Sequence, residues 1–466
     1  MARLRPYLPL VLIAVAAFAL RLAVIHVLRP TCAAGSPKGI TGECFPLFGD
    51  TQYVTVQAEH LSQGHGFIDS NTILYGKAGP EVPGAAHPPM FTIFLAALDK
   101  VGFDGIRWWR AATALVGSVG VALVGLVAWR LSGDRSNPTG RRSRNVGAIA
   151  AGIAAVDPLL WSRDADLMVE SLVIPLACLV ILSAYRLWRR PSFSNASLLG
   201  IAVGISWLTR AELILWLPCM VPMLWGLKTP AGDKVPERLR FGTRVGLLAT
   251  AGGVACALMA PWVLYNLGRF QHPVYISTNL GMASLLGSCD ATYYGAELGY
   301  WTFECVDPVD TSKVRDDSES ERLLSAAART YIGDHPGRTV VTAFARTGRF
   351  WAVYQPIDTV DRWDGQEGMG TFVARSSWVA LMVSLPLAVV GGIGLRRRRV
   401  PISPVLAPVL VATAAATILI PIPRFRVAAD VALVIMAAIG IDITWQWLRR
   451  QDKHLGPATE DPIPIT

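Results

Sequence analysis

One acidic side chain, Asp50, lies where a polar loop gives way to a helical pattern. It follows Gly49 and is close in sequence to His60 and to the turn His87-Pro88-Pro89. A carboxylate in this place either caps the N-terminus of the helix or takes part in proton transfer, a task that positioned carboxylates and histidines perform in active sites. The nearby histidines favour proton transfer.

The elements that must position Asp50 are membrane-spanning helices. Of the 466 residues, 52% are hydrophobic and only 17% are charged, with a mean hydropathy of +0.40; a soluble protein carries about a quarter charged residues. The apolar residues fall in blocks of about 17 to 25, the length that crosses a hydrocarbon core roughly 30 Å thick. The sequence therefore predicts an all-α polytopic membrane protein.

The positive net charge, +9, is concentrated in short gaps between the apolar blocks. Such clusters are typical of cytoplasmic loops, where they orient a membrane protein without a polyanionic partner. We therefore expect no nucleic-acid binding. The clusters are Arg141, Arg142 and Arg144; Arg186, Arg189 and Arg190; Arg238, Arg240 and Arg244; residues 396–399; and Arg449 and Arg450.

About ten transmembrane helices are predicted, with the N-terminus in the cytoplasm and the first apolar block retained. This topology places every arginine cluster on the cytoplasmic side. The stretch 87–103 would break the alternation if it crossed the membrane, so we expect it, and the amphipathic stretch 338–354, to lie along the outer surface. The predicted spans are residues 8–28, 107–131, 146–161, 167–187, 197–208, 213–227, 245–265, 376–395, 404–420 and 427–448.

This topology divides the chain into four regions. Residues 1–265 form an N-terminal transmembrane module that includes a first outer loop, 29–86. Residues 266–375 form a large extracytoplasmic loop region, residues 376–448 the last transmembrane helices, and residues 449–466 a cytoplasmic tail. Neither outer loop has the low-complexity composition of a disordered linker, so we expect both to be ordered.

Four of the seven cysteines lie in the predicted outer loops. An even number of cysteines confined to the outer side suggests two disulfides. We expect the pairs Cys32–Cys44 and Cys289–Cys305; the alternative is four unpaired thiols. The other three cysteines lie in apolar spans, where a free cysteine behaves as a small hydrophobic residue.

A series of short motifs in a fixed order resembles the GT-C membrane glycosyltransferases, and is more similar to bacterial relatives of the dolichyl-phosphate-mannose protein mannosyltransferases. The resemblance covers most of the chain and rests on the order of the motifs. They are Gly49-Asp50-x-x-Tyr53, Gly64-x-Gly66-Phe67, His87-Pro88-Pro89, Glu170-Ser171-Leu172, Leu208-Thr209-Arg210-Ala211-Glu212, Pro261-Trp262 to Asn266, Ser277-Thr278-Asn279-x-Gly281 and Arg424-Phe425-Arg426.

The resemblance implies a GT-C-like bundle with a catalytic aspartate in the first outer loop, which Asp50 matches, and a lipid donor that enters between helices. Inversion at an anomeric carbon needs one base for the acceptor hydroxyl, while a phosphate leaving group needs cations rather than a general acid. We therefore expect an inverting glycosyltransferase that uses a polyprenyl-phosphate sugar. Its acceptor would be a glycan, lipid or protein at the outer face of the cell (inner) membrane.

Three arginines at the predicted outer ends of spans, Arg210, Arg424 and Arg426, are candidates to bind the donor phosphate, with His87 nearby. Guanidinium groups match phosphate oxygens in pairs. The alternative is that these arginines snorkel to the membrane surface or contact lipid headgroups.

The remaining candidates are mostly acidic. Carboxylates between the third and fourth spans serve a divalent metal in the related oligosaccharyltransferases, and the Asp164-x-Asp166 pair could do likewise here. Because no third fixed ligand is evident, we expect no cofactor and keep a divalent metal as the less favoured option. Supporting roles in the substrate site are predicted for Tyr53, Asp166, Glu170, Glu212, Thr278 and Asn279.

The strongest competing hypothesis is a flippase or other transporter of lipid-linked sugars or polyprenyl lipids. Such a protein should carry ionisable groups at mid-membrane on several helices. Most of the charged residues named above lie at the outer ends of the predicted spans instead, which favours an enzyme.

Overall fold

The fold of the chain is helical throughout the part that its computed structural model describes, residues 5–28, 49–70, 82–133, 140–226, 239–311 and 314–454. Within these ranges no β-strand forms, and one isolated antiparallel bridge pairs Ile68 with Pro83. The predicted all-α class is therefore confirmed for this part of the chain.

The α-helices are numbered here in chain order. They are α1 (Leu8–Leu28), α2 (Asp50–Gln63), α3 (Met90–Lys100), α4 (Ile106–Ser132), α5 (Arg141–Val156), α6 (Pro158–Ala165), α7 (Glu170–Arg189), α8 (Phe193–Thr209), α9 (Val221–Trp225), α10 (Phe241–Leu267), α11 (Leu280–Leu285), α12 (Asp290–Tyr293), α13 (Asp317–Asp334), α14 (Pro336–Phe350), α15 (Pro356–Glu367), α16 (Thr371–Arg397), α17 (Ser403–Ile418) and α18 (Val427–His454). Short 3₁₀ turns include Ala211–Trp216, Pro218–Met220 and Pro423–Arg426.

Six of the ten predicted spans are helices long and apolar enough to cross a membrane, namely α1, α4, α7, α10, α16 and the helix that runs through α18. A seventh is the bent pair of α5 and α6, if the two are counted as one span. The other three predicted spans match apolar helical segments that are shorter, Phe193–Thr209, Ala211–Trp225 and Ser403–Ile418. The chain is thus a multi-pass membrane protein by the length and composition of its helices.

Two predicted spans are not single straight helices. The helix predicted over 146–161 begins at Arg141, ends at Val156 and continues after a bend of 52°. Pro158 causes the break because it has no N–H to continue the hydrogen-bond ladder, and Asp157 accepts hydrogen bonds from the N–H groups of Leu159 and Leu160 to start α6. The span predicted over 213–227 is a succession of short helical turns that reaches only Trp225.

The last spanning helix, α18, lies at the centre of the bundle, with residues 427–440 buried. It packs closely against α16 because each of the two helices places a glycine against the backbone of the other. A Cβ atom at Gly391 would lie 1.9 Å from the carbonyl oxygen of Met436, and one at Gly440 would lie 2.0 Å from that of Leu387. Small residues of this kind let membrane helices approach backbone to backbone.

Basic residues from three helices meet at one end of the bundle. Arg189, at the end of α7, donates a hydrogen bond to the carbonyl of Arg130 at 2.9 Å, and Arg398, after α16, donates to that of Ser132 at 3.2 Å. Helix α7 begins at Glu170. Because it has 20 residues, Glu170 lies about 30 Å from Arg189 along the helix. The ends of α4, α7 and α16 that carry these arginines therefore share one side of the bundle.

Both stretches predicted to lie along the surface form helices. Helix α3 falls within 87–103, and α14 begins at Pro336, two residues before the predicted stretch 338–354, and ends inside it. The second outer loop is ordered over its described residues, and it contains the predicted Cys289–Cys305 disulfide, with 5.3 Å between the Cα atoms. The predicted Cys32–Cys44 pair lies outside the described residues. Cys178, Cys219 and Cys256 are free.

Candidate functional site

Asp50 is the first residue of α2, and Gly49 occupies the cap position with a φ of 56° and no side chain to bond the helix. The Asp50 carboxylate instead accepts a hydrogen bond from Arg424, and it lies 3.5 Å from Nε2 of His87. Its role as a helix cap, the alternative drawn from the sequence, is therefore wrong. The carboxylate contacts Arg424 and His87, two side chains that can carry positive charge and that belong to distant segments of the chain.

A chain of alternating charges extends from Asp50 into the bundle. Arg424, which pairs with Asp50, also faces Glu367, with 3.4 Å between Nε and the carboxylate oxygen. Glu367 lies 4.0 Å from Arg163, and Arg163 lies 3.1 Å from Asp166. The hydroxyl of Thr51, next to Asp50, donates a hydrogen bond to the carbonyl of Asp166 at 3.1 Å, so the last residue of this chain of contacts is linked back to α2. The first outer loop, α6, α15 and the turn before α18 thus meet at one point.

Burial and the charges in this cluster shift the pKa values of two carboxyl groups in opposite directions. Burial acts to raise the pKa of Asp50, but Arg424 and His87 outweigh it and hold that pKa well below its usual range. The Asp50 side chain is still 34% exposed. Burial raises the pKa of Glu367, whose side chain is 8% exposed, and Arg424 and Arg163 offset this effect only in part.

Arg424 and Arg210 line the same small cleft. The centre of the Phe425 ring lies 4.2 Å from the Cζ atom of Arg210 and 5.7 Å from that of Arg424. Arg210 donates from Nε to Glu212 at 2.6 Å and from NH1 to Glu170 at 2.7 Å. Its NH2 group takes part in neither contact. The cleft is lined by Glu170, Val173, Arg210, Glu212, Leu213, Trp216, Pro408, Val411, Ala412, Arg424, Phe425 and Ala428.

Arg426 lies apart from this cleft. Its side chain is fully buried, and its Nε donates to Asp430 at 3.0 Å. Its NH1 donates to the carbonyl of Phe350 at 3.2 Å, and its guanidinium lies 5.0 Å from the ring centre of Trp363. The predicted assignment to the donor phosphate therefore does not fit its position, and we do not retain it.

Tyr53 and Thr278 contact the turn that carries His87 rather than Asp50 itself. The Tyr53 hydroxyl accepts from the N–H of Ala86 at 3.4 Å, and the ring of Tyr53 meets that of His87 edge-on at 5.6 Å. The N–H of Thr278 donates to the carbonyl of Ala85 at 2.8 Å, and Asn279 directly precedes α11. These contacts position the histidine against the first turn of α2.

The Asp-x-Asp pair does not converge on a common point. Asp164 pairs with Arg21 at 2.6 Å inside the bundle, whereas Asp166 pairs with Arg163. Among the described residues, no three His, Cys, Asp or Glu side chains are grouped as they would be to hold a metal ion. In this arrangement Asp164 and Asp166 are counter-ions of two different arginines.

Three residues of the site were not predicted to take part in it. They are Arg163, Glu367 and Phe425, whose ring lies near the guanidiniums of Arg210 and Arg424. Arg163 had a signal, because a charge at the end of an apolar block must find a partner. For Glu367 the signal was the pair of glycines that follows it, Gly368 and Gly370, directly before α16. Both glycines have positive φ in the structure. Glycines in such conformations indicate a built turn rather than a random linker.

The fold and the site together define a multi-pass helical membrane protein in which the Asp50 carboxylate belongs to a cluster of ion pairs. The chain is similar to the archaeal oligosaccharyltransferase AglB from Archaeoglobus fulgidus, solved in complex with an inhibitory peptide and a dolichol-phosphate. The two share 13% identity with a TM-score of 0.47, over 97% of this chain and 52% of AglB. This chain thus spans about half the length of that structure. No family model and no curated protein matches the sequence.

Proposed function

We propose that this protein is an inverting glycosyltransferase that moves a sugar from a polyprenyl-phosphate donor to an acceptor hydroxyl. The observation that carries the proposal is the contact between Asp50 and Arg424 at a cleft that Arg424 shares with Arg210. This arrangement supplies one base and two cations, the groups that displacement of a phosphate from a sugar requires.

Asp50 acts as the general base in this proposal. One carboxylate oxygen takes the proton of the acceptor hydroxyl while the hydroxyl oxygen attacks the anomeric carbon. The bond from that carbon to the phosphate oxygen breaks on the opposite face, and its electron pair leaves with the phosphate, so the configuration inverts. A positioned base of this kind contributes about 10² to 10⁴ in rate.

Arg210 and Arg424 stabilise the phosphate before and after the bond breaks. The leaving phosphate gains negative charge, and fixed guanidiniums in a partly desolvated cleft stabilise developing charge more strongly than water does. Both guanidiniums lie near the ring of Phe425, and in this proposal they bind different oxygens of one phosphate.

In this proposal the lipid part of the donor contacts apolar side chains beside the two guanidiniums. The wall of the cleft includes apolar side chains from α7, α17 and the turn Ala211–Trp216, among them Val173, Val411 and Trp216. The site lies at the end of α7 that begins with Glu170, opposite the arginine-bearing end. Because arginine clusters mark the cytoplasmic side, we place the reaction at the outer face of the cytoplasmic membrane.

The transporter hypothesis has one observation in its favour, the presence of ion pairs within the spans. These are Arg21–Asp164 and Arg426–Asp430, and both are buried and internally compensated. Compensated pairs of this kind also stabilise a bundle without any transported substrate. The two hypotheses differ in whether the bond between sugar and phosphate is broken.

The test uses the purified protein in lipid nanodiscs with polyprenyl-phosphate mannose and polyprenyl-phosphate arabinose, each offered with simple glycoside acceptors. We expect time-dependent release of polyprenyl phosphate and a glycoside of inverted configuration. Retained configuration would contradict the mechanism. Failure to cleave either donor, together with movement of the intact lipid across proteoliposomes, would favour the transporter.

A further inference from the structure

Among the residues that the structure describes, the site contains more acidic than basic groups. Three guanidiniums face five carboxylates there, so the net charge of this set is −2 when all are ionised and His87 is neutral. The cations are Arg163, Arg210 and Arg424, and the carboxylates are Asp50, Asp166, Glu170, Glu212 and Glu367. A donor phosphate would add a further negative charge. Charge of one sign in a buried site is unfavourable unless a proton or another cation accompanies it.

Glu367 is the carboxylate whose ionised form has the weakest support. Its nearest cations are Arg424 at 3.4 Å and Arg163 at 4.0 Å, both beyond a good charge-assisted hydrogen bond. By contrast, Glu170 and Glu212 accept from Arg210 at 2.7 and 2.6 Å. The other charged groups that face Glu367 are Asp50 on α2 and Glu170 on α7, and both disfavour its ionisation.

We propose that Glu367 takes up a proton from solvent when a polyprenyl-phosphate sugar binds, so that the anionic donor enters together with one compensating positive charge. This inference rests on the function proposed above and concerns its regulation. The phosphate draws on the charge of Arg424, and Glu367 then loses the nearer of its two cations. Burial already raises the pKa of Glu367 in the donor-free protein, which is consistent with this order of events.

The coupling fixes the direction of a pH dependence. Below its pKa in the donor-free protein, Glu367 is already protonated and binding takes up no proton. Between that pKa and the higher one in the complex, binding takes up one proton, and donor affinity falls by up to about tenfold for each pH unit. Donor binding is therefore favoured on the acid side.

The experiment is calorimetric titration of the parent protein with a short-chain polyprenyl-phosphate sugar, without acceptor, at several pH values in buffers of different ionisation enthalpy. A phosphodiester is chosen because it does not itself titrate near neutral pH. We expect uptake of about one proton per donor within the window. The parent alone can refute the coupling: binding without proton uptake overturns it, and no binding of any donor overturns the proposed function as well.

Variants assign the proton. In Glu367→Gln we expect donor binding with almost no proton uptake and an affinity that no longer depends on pH. The matched control is Glu319→Gln on the outer surface, whose carboxylate pairs with Arg322 and His272; it should behave as the parent does. Uptake that persists in Glu367→Gln, or that is lost in His87→Gln instead, overturns the assignment to Glu367. Loss of binding on addition of EDTA would show that a divalent ion supplies the charge and would overturn it too.

Discussion

Arg424 donates a hydrogen bond to Asp50 across 374 positions of the chain. The contact joins the first turn of α2 in the first outer loop to the 3₁₀ turn that precedes α18, so the beginning and the end of the bundle form the site together. It also links two roles, because the guanidinium that would bind donor phosphate is the one that lowers the pKa of the proposed base. When phosphate shares this guanidinium, Asp50 becomes a stronger base.

Replacing Arg210 or Arg424 by lysine should weaken donor binding while the protein still folds. Lysine keeps the charge but presents a single point of attachment, whereas a guanidinium holds a phosphate from two nitrogens. We expect the dissociation constant to rise by about tenfold for either variant, which corresponds to roughly 1.4 kcal/mol. Titration with a fluorescent short-chain polyprenyl-phosphate sugar measures this directly.

The matched control is Arg362→Lys, which alters an arginine that pairs with Glu297 and Asp358 in the second outer loop. It should bind donor as the parent does. If both Arg210→Lys and Arg424→Lys also bind like the parent, the phosphate site lies elsewhere in the chain.

Arg426→Ala should lower stability rather than donor affinity. Removing one partner of the buried Arg426–Asp430 pair leaves an uncompensated carboxylate in the bundle, and breaking such pairs costs about 3–5 kcal/mol. Thermal unfolding in detergent measures the loss, with Arg375→Ala as the control because its pair with Asp361 is exposed. A stable Arg426→Ala protein that binds donor weakly would restore Arg426 to the phosphate site.

Asp317, at the start of α13, should make the stability of the protein fall as the pH rises. Burial and the neighbouring Asp69 raise the pKa of Asp317 to about 8. Its folded-state pKa therefore exceeds the ordinary value of 3.8, and the associated stability is lost as pH rises towards about 8, at most about 1.4 kcal/mol per pH unit. Unfolding temperatures measured from pH 5 to 8.5 should depend less on pH in Asp317→Asn. Equal slopes in the two proteins would refute the expectation.

Helix α14 should lie in the outer leaflet of the membrane. Its arginines Arg346 and Arg349 are buried against the protein, whereas its outward residues are apolar, with Phe344 77% exposed. Thr347 also contacts Thr417 of α17 at 2.7 Å, beside a span. This polarity is the reverse of that of a helix on a soluble surface.

A nitroxide attached after Phe344→Cys tests this position, in a background where Cys219 and Cys256 are replaced by serine. We expect the label to collide more often with oxygen than with a water-soluble nickel reagent. Arg315→Cys, at an exposed position of the second outer loop, should show the opposite preference. Free access of the nickel reagent to position 344 would exclude a membrane-embedded α14.

Apolar block length was enough to predict the long spanning helices, because crossing a bilayer needs a fixed number of apolar residues. It could not show that a span bends, although Pro158 inside the predicted 146–161 segment was a signal for the break that occurs there. Hydropathy measures composition over a window and is insensitive to a single missing backbone N–H.

The site was predicted in part. Asp50, Arg210 and Arg424 were found as candidates from motifs in a fixed order. The sequence could not decide which of Arg424 and Arg426 faces the cleft. The two lie in one 3₁₀ turn, where residues two apart point in directions about 120° apart, so one faces the cleft and the other the core. Glu367 joins the site only through tertiary packing of the second outer loop.

The most direct test of the central claim is Asp50→Asn, measured in both donor binding and turnover. Since Gly49 holds the cap position, this change removes the base without removing a helix cap. We expect a folded protein that still binds donor and turns over about 10² to 10⁴ times more slowly, while the exposed control Asp361→Asn keeps the rate of the parent. Turnover by Asp50→Asn within about threefold of the parent would mean that no transition-state interaction was lost, and it would contradict the assignment of Asp50 as the general base.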